Sequence, residues 1–521
     1  MSQDTLQILL AMSVYMLLVI GIGVFFAKRA NASSDNYFIG GRTLGPWVTA
    51  MSAEASDMSG WLLMGLPGVA YFLGLADAFW TAIGLAIGTY VNWLIVAKRL
   101  RTYSQTAGDA ITLPEFFSRR FREKKPVLMT VSALFILIFF TVYAASCFVT
   151  CGKLFSTLFG LPYQWMMIAG ALFVILYTIL GGFLAETASD FMQAIVMIFA
   201  LVTVLGTAVV AAGGVGAVVA NIRDIPGFLA FFGIAQPEMA DGAQQLDAAG
   251  KPLFGQAGTY GFLTVVSTMS WGLGYFGMPQ VLTRFMAIRK AEELKKARRI
   301  GTVWCVISLF AATMVGLVGR SLYPAELLTA GQAENIFIVL SSNLLPALLA
   351  GVVMAGILAA TISSSDSYLL IAASAFAKNI YQGAVKKDAT DKQIMLVTRV
   401  VLLTITLIGI IIALDENSVI FKVVSFAWAG FGATFGPLVL FSLFWKRTTH
   451  SGALAGMIAG GGMVFFWKLV LRPLGGVLGI YELLPAFLFS SVVIVVFSLL
   501  SKQPDPALQE EFNQVRAETA R

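Results

Sequence analysis

A polar run interrupts an otherwise apolar stretch near the start of the chain. It reads Ser56-Asp-Met-Ser-Gly60, with Glu54 just before it and Gly65, Pro67 and Gly68 after it. A carboxylate at membrane depth costs about 2.5–3.5 kcal/mol on insertion scales, so it usually faces a cavity or a partner. Glycine and proline weaken a helix here, and an interrupted helix exposes carbonyl and N–H groups. The run therefore predicts a binding site for an ion or a polar solute inside an apolar protein.

A second interruption lies about 210 residues later, in Ser267-Thr-Met-Ser-Trp-Gly-Leu-Gly-Tyr-Phe-Gly-Met-Pro279. The residues that weaken a helix here are Gly272, Gly274, Gly277 and Pro279. The same glycines would also allow close helix packing with no other role, as small residues commonly do. Two broken helices at corresponding places in two halves of a chain are, however, typical of transporters that bind their cargo near the membrane midplane.

A serine cluster forms the third polar feature, in Ala359-Ala-Thr-Ile-Ser-Ser-Ser-Asp-Ser367. Ser363, Ser364 and Ser367 fall within little more than one helical turn, and Asp366 lies between them. Hydroxyl and carbonyl oxygens suit a hard cation such as Na⁺. The serines could equally bond to carbonyls one turn earlier and serve packing only.

Asp190 opens the apolar stretch that we predict as the sixth span. It is interpreted either as a charge favoured by the helix dipole or as part of an ion exit path. Neither the cysteines nor the single histidine form a constellation that suggests a metal site or a catalytic nucleophile, so we expect no enzyme activity, no catalytic residues and no cofactor. Cys147 and Cys151 are interpreted as small core residues, and His450 as a solvated loop residue.

Composition identifies the elements that must hold these residues. Of 521 residues, 58% are hydrophobic and 12% are charged, about half the charged share of a soluble domain. The apolar residues form blocks long enough to cross a hydrocarbon core of ~30 Å. About thirteen such blocks predict an all-α, multi-pass membrane protein. The first, roughly 6–27, has no basic residue before it and is interpreted as a retained span rather than a signal peptide.

The basic residues indicate an orientation. If the N-terminus is outside, 28 of the 35 lysines and arginines fall in predicted inner segments, which agrees with the positive-inside rule. We therefore expect an external N-terminus and a cytoplasmic C-terminus. The one long outer loop is expected at about 214–258, as a gate or as a plain connector.

The two interrupted helices are the second and seventh spans, and their separation by five spans predicts an inverted five-plus-five repeat. The division that follows has six parts. They are 1–42 (first span and inner loop), 43–213 (first repeat), 214–258 (outer loop), 259–444 (second repeat), 445–501 (two further spans) and 502–521 (cytoplasmic tail).

Five motifs carry a resemblance to a known family. They are Ser56-Asp-Met-Ser-Gly-Trp-Leu-Leu-Met-Gly-Leu-Pro-Gly68, Trp271-Gly-Leu-Gly-Tyr-Phe-Gly277, Arg284-Phe-Met-Ala287, Ile357-Leu-Ala-Ala360 and Ala427-Trp-Ala-Gly-Phe-Gly-Ala433. With them the chain resembles the sodium:solute symporter family, in its bacterial sodium/proline branch, from about residue 5 to 500. The resemblance implies a LeuT-type core in the second to eleventh spans and a place in the bacterial inner membrane.

The resemblance also implies an ion site. At matching positions, Na⁺ would be bound by the backbone oxygens of Ala55, Met58 and Ala360 and the hydroxyls of Ser363 and Ser364. Asp57 and Asp190 match aspartates that act in ion coupling. Ser367 is compatible with a second site, but the neighbouring Asp366 leaves the number of Na⁺ ions open.

A substrate site is implied in the same way. Ser59 and Gly60 would face the charged groups of an amino acid, and Tyr143 and Trp271 would provide an aromatic wall. Tyr275 is implied as a further substrate residue. The chain departs from proline carriers after Gly277. It continues Met278-Pro-Gln280 where those proteins have Gln-Pro-His, so Met278 and Gln280 join the candidate residues and put proline as the sole substrate in doubt. Glu54 stands where an uncharged residue is typical.

The sequence thus predicts a sodium-coupled symporter that imports a small amino acid, with L-proline first among the substrates. The alternatives are a sodium symporter for another amino acid or a small carboxylate and, less well supported, a transporter-like sensor or channel. The expected partners are the amino acid, Na⁺ and the lipid bilayer. We expect no nucleic acid and no required protein partner.

Overall fold

The computed structural model describes residues 3–30, 37–38 and 42–520. The helices in chain order are α1 (Gln3–Ala30), α2 (Pro46–Asp57), α3 (Leu66–Leu73), α4 (Leu75–Val91), α5 (Ala97–Thr106), α6 (Leu113–Arg120), α7 (Val127–Phe159), α8 (Tyr163–Ala211), α9 (Val215–Ile222), α10 (Phe262–Met269), α11 (Pro279–Ala287), α12 (Leu294–Leu322), α13 (Ala330–Ala333), α14 (Ile336–Leu344), α15 (Ala347–Ser374), α16 (Asp391–Ile412), α17 (Ile420–Phe444), α18 (His450–Phe466), α19 (Leu483–Leu500) and α20 (Pro506–Ala520).

Several of these helices continue into segments of different pitch. The π-helical segments are Trp61–Gly65, Asn92–Val96, Ala375–Val385 and Trp467–Leu471, and the 3₁₀ segments are Ser270–Gly277, Ala291–Glu293, Arg472–Leu474 and Gly476–Gly479. Four two-residue strands, β1 (Gly233–Ile234), β2 (Met239–Ala240), β3 (Ala243–Gln244) and β4 (Gly258–Thr259), pair as β1 with β4 and β2 with β3, both antiparallel.

Ten helices of the described chain are long and apolar enough, by length and composition, to cross a membrane. The sequence predicts about thirteen spans, and the difference of three comes from three places in the chain. Two are the interrupted helices around Met58 and Met278, whose pieces are individually too short. The third is α8, where Gly182 has φ 56° and ψ −170° within 49 residues. The all-α prediction is confirmed, whereas the number thirteen and the six-part division stay predictions.

A contact with Tyr37, which is distant in the chain, accounts for the break at Gly182. A Cβ on this residue would lie 2.7 Å from the Tyr37 ring, and the Tyr37 hydroxyl donates to the carbonyl of Thr178 (2.9 Å). A positive φ is a conformation that glycine adopts at little cost. The helix continues directly after Gly182. Asp190 therefore lies in the third turn after the break and does not begin a helix. Our interpretation of Asp190 as a residue that opens a helix is wrong.

One further expectation needs correction. His450 begins α18 and its Nε2 lies 3.0 Å from Glu123 Oε1, so it is not simply a solvated loop residue. The charged tail forms α20, in which Phe512 is buried against Tyr103 of α5. The long loop contains α9 and the four short strands. The predicted inner segment 28–42 lies largely outside the described residues.

Close helix packing surrounds the second interruption. A Cβ on Gly88 of α4 would lie 2.3 Å from the carbonyl oxygen of Gly272, and one on Gly274 would lie 1.9 Å from Trp428 Nε1. The 3₁₀ segment is therefore in backbone contact with α4 and against the Trp428 ring of α17. Glycine serves here because any side chain would separate these elements.

Candidate functional site

The first interruption frees a backbone carbonyl. In a continuous helix the N–H of Ser59 would donate to the carbonyl of Ala55, but here it donates to the carbonyl of Asp57 (3.2 Å). Met58 has φ −88° and ψ 75°, and its own N–H still donates to Glu54 (2.9 Å). The carbonyl oxygen of Ala55 is thus left without its helical partner.

The serine cluster of α15 meets this carbonyl. Ser363 Oγ donates to the carbonyl oxygen of Ala55 at 2.8 Å and lies 3.2 Å from that of Ala360, and Ser364 Oγ lies 3.2 Å from the Ala55 oxygen. All four residues are buried. Four of the five predicted sodium ligands therefore lie together, and Met58 follows on the same interruption. Two hydroxyls and two carbonyls form an all-oxygen set, which is the chemistry that a hard cation prefers.

Asp57 does not contact the serines. Its Oδ2 accepts a hydrogen bond from the Tyr275 hydroxyl (2.7 Å), while Oδ1 is buried without a partner among the described residues. Its backbone carbonyl accepts from Trp61 Nε1 (3.2 Å) and from the Tyr143 hydroxyl (3.4 Å). The aspartate thus joins the first interruption to the second, and no hydrogen bond among the described residues links its side chain to the oxygen set.

The second interruption exposes other groups. Residues Ser270–Gly277 form a 3₁₀ segment that ends at Met278 (φ −77°, ψ 108°) before α11 begins. Side chains on neighbouring helices take up two of its carbonyls. Trp428 Nε1 donates to Trp271 (2.8 Å), and Asn92 Nδ2 donates to Tyr275 (3.0 Å). The predicted break is confirmed, because a 3₁₀ segment and the extended residue Met278 separate α10 from α11.

The candidate substrate residues divide into two groups. The first lies at the two interruptions. Ser59 Oγ is buried and unpaired among the described residues, a Cβ on Gly60 would lie 2.3 Å from Thr150 Oγ1, and the Trp271 ring lies 6.1 Å from the Trp61 ring. Tyr143 and Tyr275 belong to this group because both donate to Asp57. A free hydroxyl beside aromatic rings is suited to a small polar solute with an apolar body.

The second group lies at the start of α11. Met278 and Gln280 are buried there, and neither amide atom of Gln280 has a hydrogen-bond partner among the described residues. The Gln280 carbonyl accepts from Arg284 Nη1 (3.3 Å), one turn along. No hydrogen bond in the described chain joins the Gln280 side chain to the first group, and the place of Gln280 in the substrate site stays a prediction.

A buried charge cluster lies next to this group, and sequence reasoning missed most of it. Arg284 forms ion pairs with Glu186 and with Asp190 Oδ2 (3.3 Å), and Ser52 donates to the same Asp190 oxygen (2.6 Å). Ser367 contacts both Arg284 (2.8 Å) and Glu186. The positive-inside pattern places Arg284 among the basic residues of the predicted inner segment 284–300, although an arginine at the end of an apolar helix can also be an intramembrane charge with a partner.

Two further carboxylates belong to this region of the molecule. Asp366 Oδ1 accepts from the backbone N–H of Ser367 (2.8 Å), and Glu54 Oε1 accepts from Thr89 Oγ1 (3.2 Å) and Trp93 Nε1 (3.3 Å). The second oxygen of each lacks a partner among the described residues. The oxygen set is therefore surrounded by more carboxylates than the motif of the first interruption alone indicates.

The chain is similar in sequence to known proteins over nearly its whole length. The family model described as "SSF: Sodium:solute symporter family" matches residues 37–460. The sodium/proline symporter of Escherichia coli (strain K12) is 41% identical over 513 residues, which are 98% of this chain and 96% of that protein. The sodium/proline symporter of Staphylococcus aureus (strain JH9) is 40% identical over 517 residues, with the same coverage of both chains.

Solved structures agree on the fold. A Na⁺-coupled sialic acid symporter in a substrate-bound outward-open state aligns with a TM-score of 0.74 at 18% identity, over 96% of this chain and 99% of that one. MhsT in complex with L-phenylalanine aligns with a TM-score of 0.52 at 14% identity, over 87% and 97%. The predicted LeuT-type fold is confirmed.

Proposed function

Because this chain belongs to the sodium:solute symporter family, a family of transporters rather than enzymes, we propose that it couples the entry of Na⁺ to the import of a small amino acid, with L-proline as the principal substrate. The observation that carries the proposal is the Ala55 carbonyl, which the interruption frees and which Ser363 and Ser364 meet. The relatives named sodium/proline symporter support the choice of substrate.

The proposed Na⁺ ligands are the backbone oxygens of Ala55, Met58 and Ala360 and the hydroxyls of Ser363 and Ser364. When Na⁺ binds, the two hydroxyls turn their lone pairs to the ion and stop donating to carbonyls. The ion then joins α15 to the interruption that follows α2. The link orders the backbone around Asp57, and that ordering makes the substrate site ready.

The proposed substrate site lies beside this link. The charged groups of the amino acid bind near Ser59 and Gly60, and its ring packs against Tyr143, Trp271 and Tyr275. Asp57 acts by fixing Tyr275 through the 2.7 Å hydrogen bond rather than as an ion ligand. Met278 and Gln280 are proposed as further residues of the site.

Asp190 is proposed to act in ion release through its pair with Arg284. We further propose that the protein lies in a bacterial inner membrane, with the N-terminus and the loop around 214–258 outside and the tail inside. It needs no protein partner and no cofactor. The six-part division and the inverted repeats at 43–213 and 259–444 belong to the same proposal.

Uptake by purified protein in sealed proteoliposomes tests the function. Radiolabelled L-proline should accumulate against its gradient when an inward Na⁺ gradient is imposed, and K⁺ or choline gradients should give no accumulation. A panel of unlabelled amino acids and small carboxylates should compete in the order of their affinity. Competition by another solute at lower concentration than proline would identify a different substrate, and flux without accumulation would indicate a channel.

A further inference from the structure

The long apolar helix α12 begins in a basic segment, residues 289–299. The segment contains six lysines and arginines against two glutamates. One basic residue is neutralised locally, because Arg289 pairs with Glu293 (2.7 Å). Four others form no side-chain ion pair or hydrogen bond with a described residue, and they are Lys295, Lys296, Arg298 and Arg299. The start of α12 therefore carries positive charge that the described chain does not neutralise.

Apolar side chains follow on the same face of α12. Helix positions that differ by four or seven residues share a face. Lys295 and Arg299 therefore lie on one face with two residues of the next turns, Val306 and Phe310. All four are exposed, and α12 is long and apolar enough to cross a membrane. The exposed face of α12 is thus basic at its start and apolar along its length, which complements a molecule with an anionic head and an apolar body.

Two aromatic rings flank this face. The Arg298 guanidinium lies 5.4 Å from the centre of the Tyr90 ring on α4. The Lys296 ammonium lies 6.0 Å from the centre of the Trp47 ring on α2. Both rings are exposed. Tryptophan and tyrosine are enriched where a membrane meets water, so the basic segment lies at the level of the lipid headgroups.

Membrane topology alone accounts for another pair of basic residues, Lys124 and Lys125. They precede the apolar helix α7 and are exposed, as basic residues beside a span commonly are. Within the described chain no aromatic ring lies over either ammonium group. The start of α12 differs because four unpaired cations, two interfacial rings and an exposed apolar face lie together there. This combination indicates a binding site and not only a preferred orientation in the membrane.

We propose that the start of α12 is a binding site for an anionic phospholipid. Lys295, Arg298 and Arg299 bind the phosphate, and the acyl chains pack along Val306 and Phe310. A choline or ethanolamine headgroup would bring an ammonium group against these cations, so the site favours a headgroup without one, such as that of phosphatidylglycerol. The site requires neither Na⁺ nor a transported solute, so the inference does not rest on the proposed function.

The opposite face of α12 connects this site with the interior of the protein. Gly301 packs against α2, since a Cβ on it would lie 2.9 Å from Glu54 Oε1. Trp304 Nε1 donates to the carbonyl of Ala194 on α8 (3.0 Å). A lipid on the exposed face therefore holds α12 against α2 and α8. Because this arrangement exists only in the folded protein, the bound lipid should raise the unfolding temperature.

Thermal unfolding of the purified full-length protein in detergent tests the site. Dioleoylphosphatidylglycerol should raise the unfolding temperature by about 3 °C more than the same amount of dioleoylphosphatidylcholine. Lys295→Gln with Arg299→Gln should raise the phosphatidylglycerol concentration for half of that shift about tenfold. Lys295→Arg with Arg299→Lys keeps both charges and should leave it unchanged. Lys124→Gln with Lys125→Gln removes the same charge from the segment before α7 and is the matched control.

An equal rise with the two lipids would overturn the proposal, and so would equal effects of the two double glutamine variants. A rise of the same size with glycerol 3-phosphate would overturn it in favour of a site for a soluble anion. Trp47 provides a second measurement that does not depend on the charge variants. In nanodiscs, the tryptophan fluorescence that Trp47→Phe removes should be quenched more by phosphatidylglycerol with brominated acyl chains than by phosphatidylcholine with the same chains. Equal quenching by the two lipids would likewise exclude the site.

Discussion

Replacement of Ser363 by alanine removes one hydroxyl from the proposed ion site and leaves the helix intact. The Ser363 hydroxyl is 2.8 Å from the Ala55 oxygen and 3.2 Å from the Ala360 oxygen, so it lies between the two carbonyls that we assign to Na⁺. A hydrogen-bonding group that acts on a charge contributes about 1.5–3 kcal/mol. Since about 1.4 kcal/mol corresponds to a factor of ten, the apparent Na⁺ affinity should fall about tenfold to a hundredfold.

The assay is the Na⁺ concentration that gives half-maximal proline uptake, measured at saturating proline with protein amounts matched by immunoblot. Ser365→Ala is the control, because Ser365 is buried on the same helix and its hydroxyl donates to Thr361 (2.6 Å) within that helix. It should shift the Na⁺ requirement less than twofold. Equal shifts in the two variants, or an unchanged Na⁺ requirement in Ser363→Ala, would refute the assignment of the site.

Three further predictions concern packing and charge. Lys153→Met or Glu334→Leu alone should destabilise the protein by about 3–5 kcal/mol, because each leaves a buried charge without its partner, and the double variant should lose less than the sum of the two in thermal unfolding. Gly88→Ala should abolish uptake and lower the unfolding temperature, since its Cβ would meet backbone 2.3 Å away, whereas Gly462→Ala, with nothing within 4 Å, should behave as wild type. Burial tends to raise the pKa of Glu123, but hydrogen bonds from a histidine and two backbone N–H groups outweigh it and lower that pKa. Glu123 therefore adds stability above its unfolded pKa of about 4.3 that is lost as pH falls through the folded pKa, so the unfolding temperatures of wild type and Glu123→Gln should converge below about pH 4.

The interruptions were predictable because their signals are local. Glycine, proline and a carboxylate within one apolar stretch weaken a helix whatever surrounds them, and the breaks at Met58 and before Met278 are where the sequence predicts them. The third break was predicted at the right residue, but not as a kink within one continuing helix. Gly182 and the residues after it read as the end of one span and a short link, because the contact with Tyr37 that stabilises its positive φ comes from a distant part of the chain.

Contacts between residues that are far apart in the chain could not be predicted from the sequence. Ser363 lies 308 residues from Ala55, and no spacing rule joins them, so their pairing followed from the family resemblance alone. Arg284 and Glu186 are 98 residues apart, and neither motif indicates the other. Counting Arg284 as an inner-loop charge agreed with its position in the chain, but a charge count cannot distinguish a solvated arginine from one that is fully buried against two carboxylates.

The contacts of α2 connect the elements that we propose hold the ion and the substrate. Ser52 contacts the Arg284 and Asp190 pair, the Ala55 carbonyl contacts the serines of α15, and the Asp57 side chain contacts Tyr275 of the second interruption. These three contacts occur within two turns of one helix, and each connects it to a different element. A movement of α2 therefore cannot break one of them without straining the other two. An ion that replaces these hydroxyl-to-carbonyl hydrogen bonds and binds both α15 and the Ala55 carbonyl would also favour the conformation in which Asp57 orients Tyr275, which is the reciprocal coupling that symport requires.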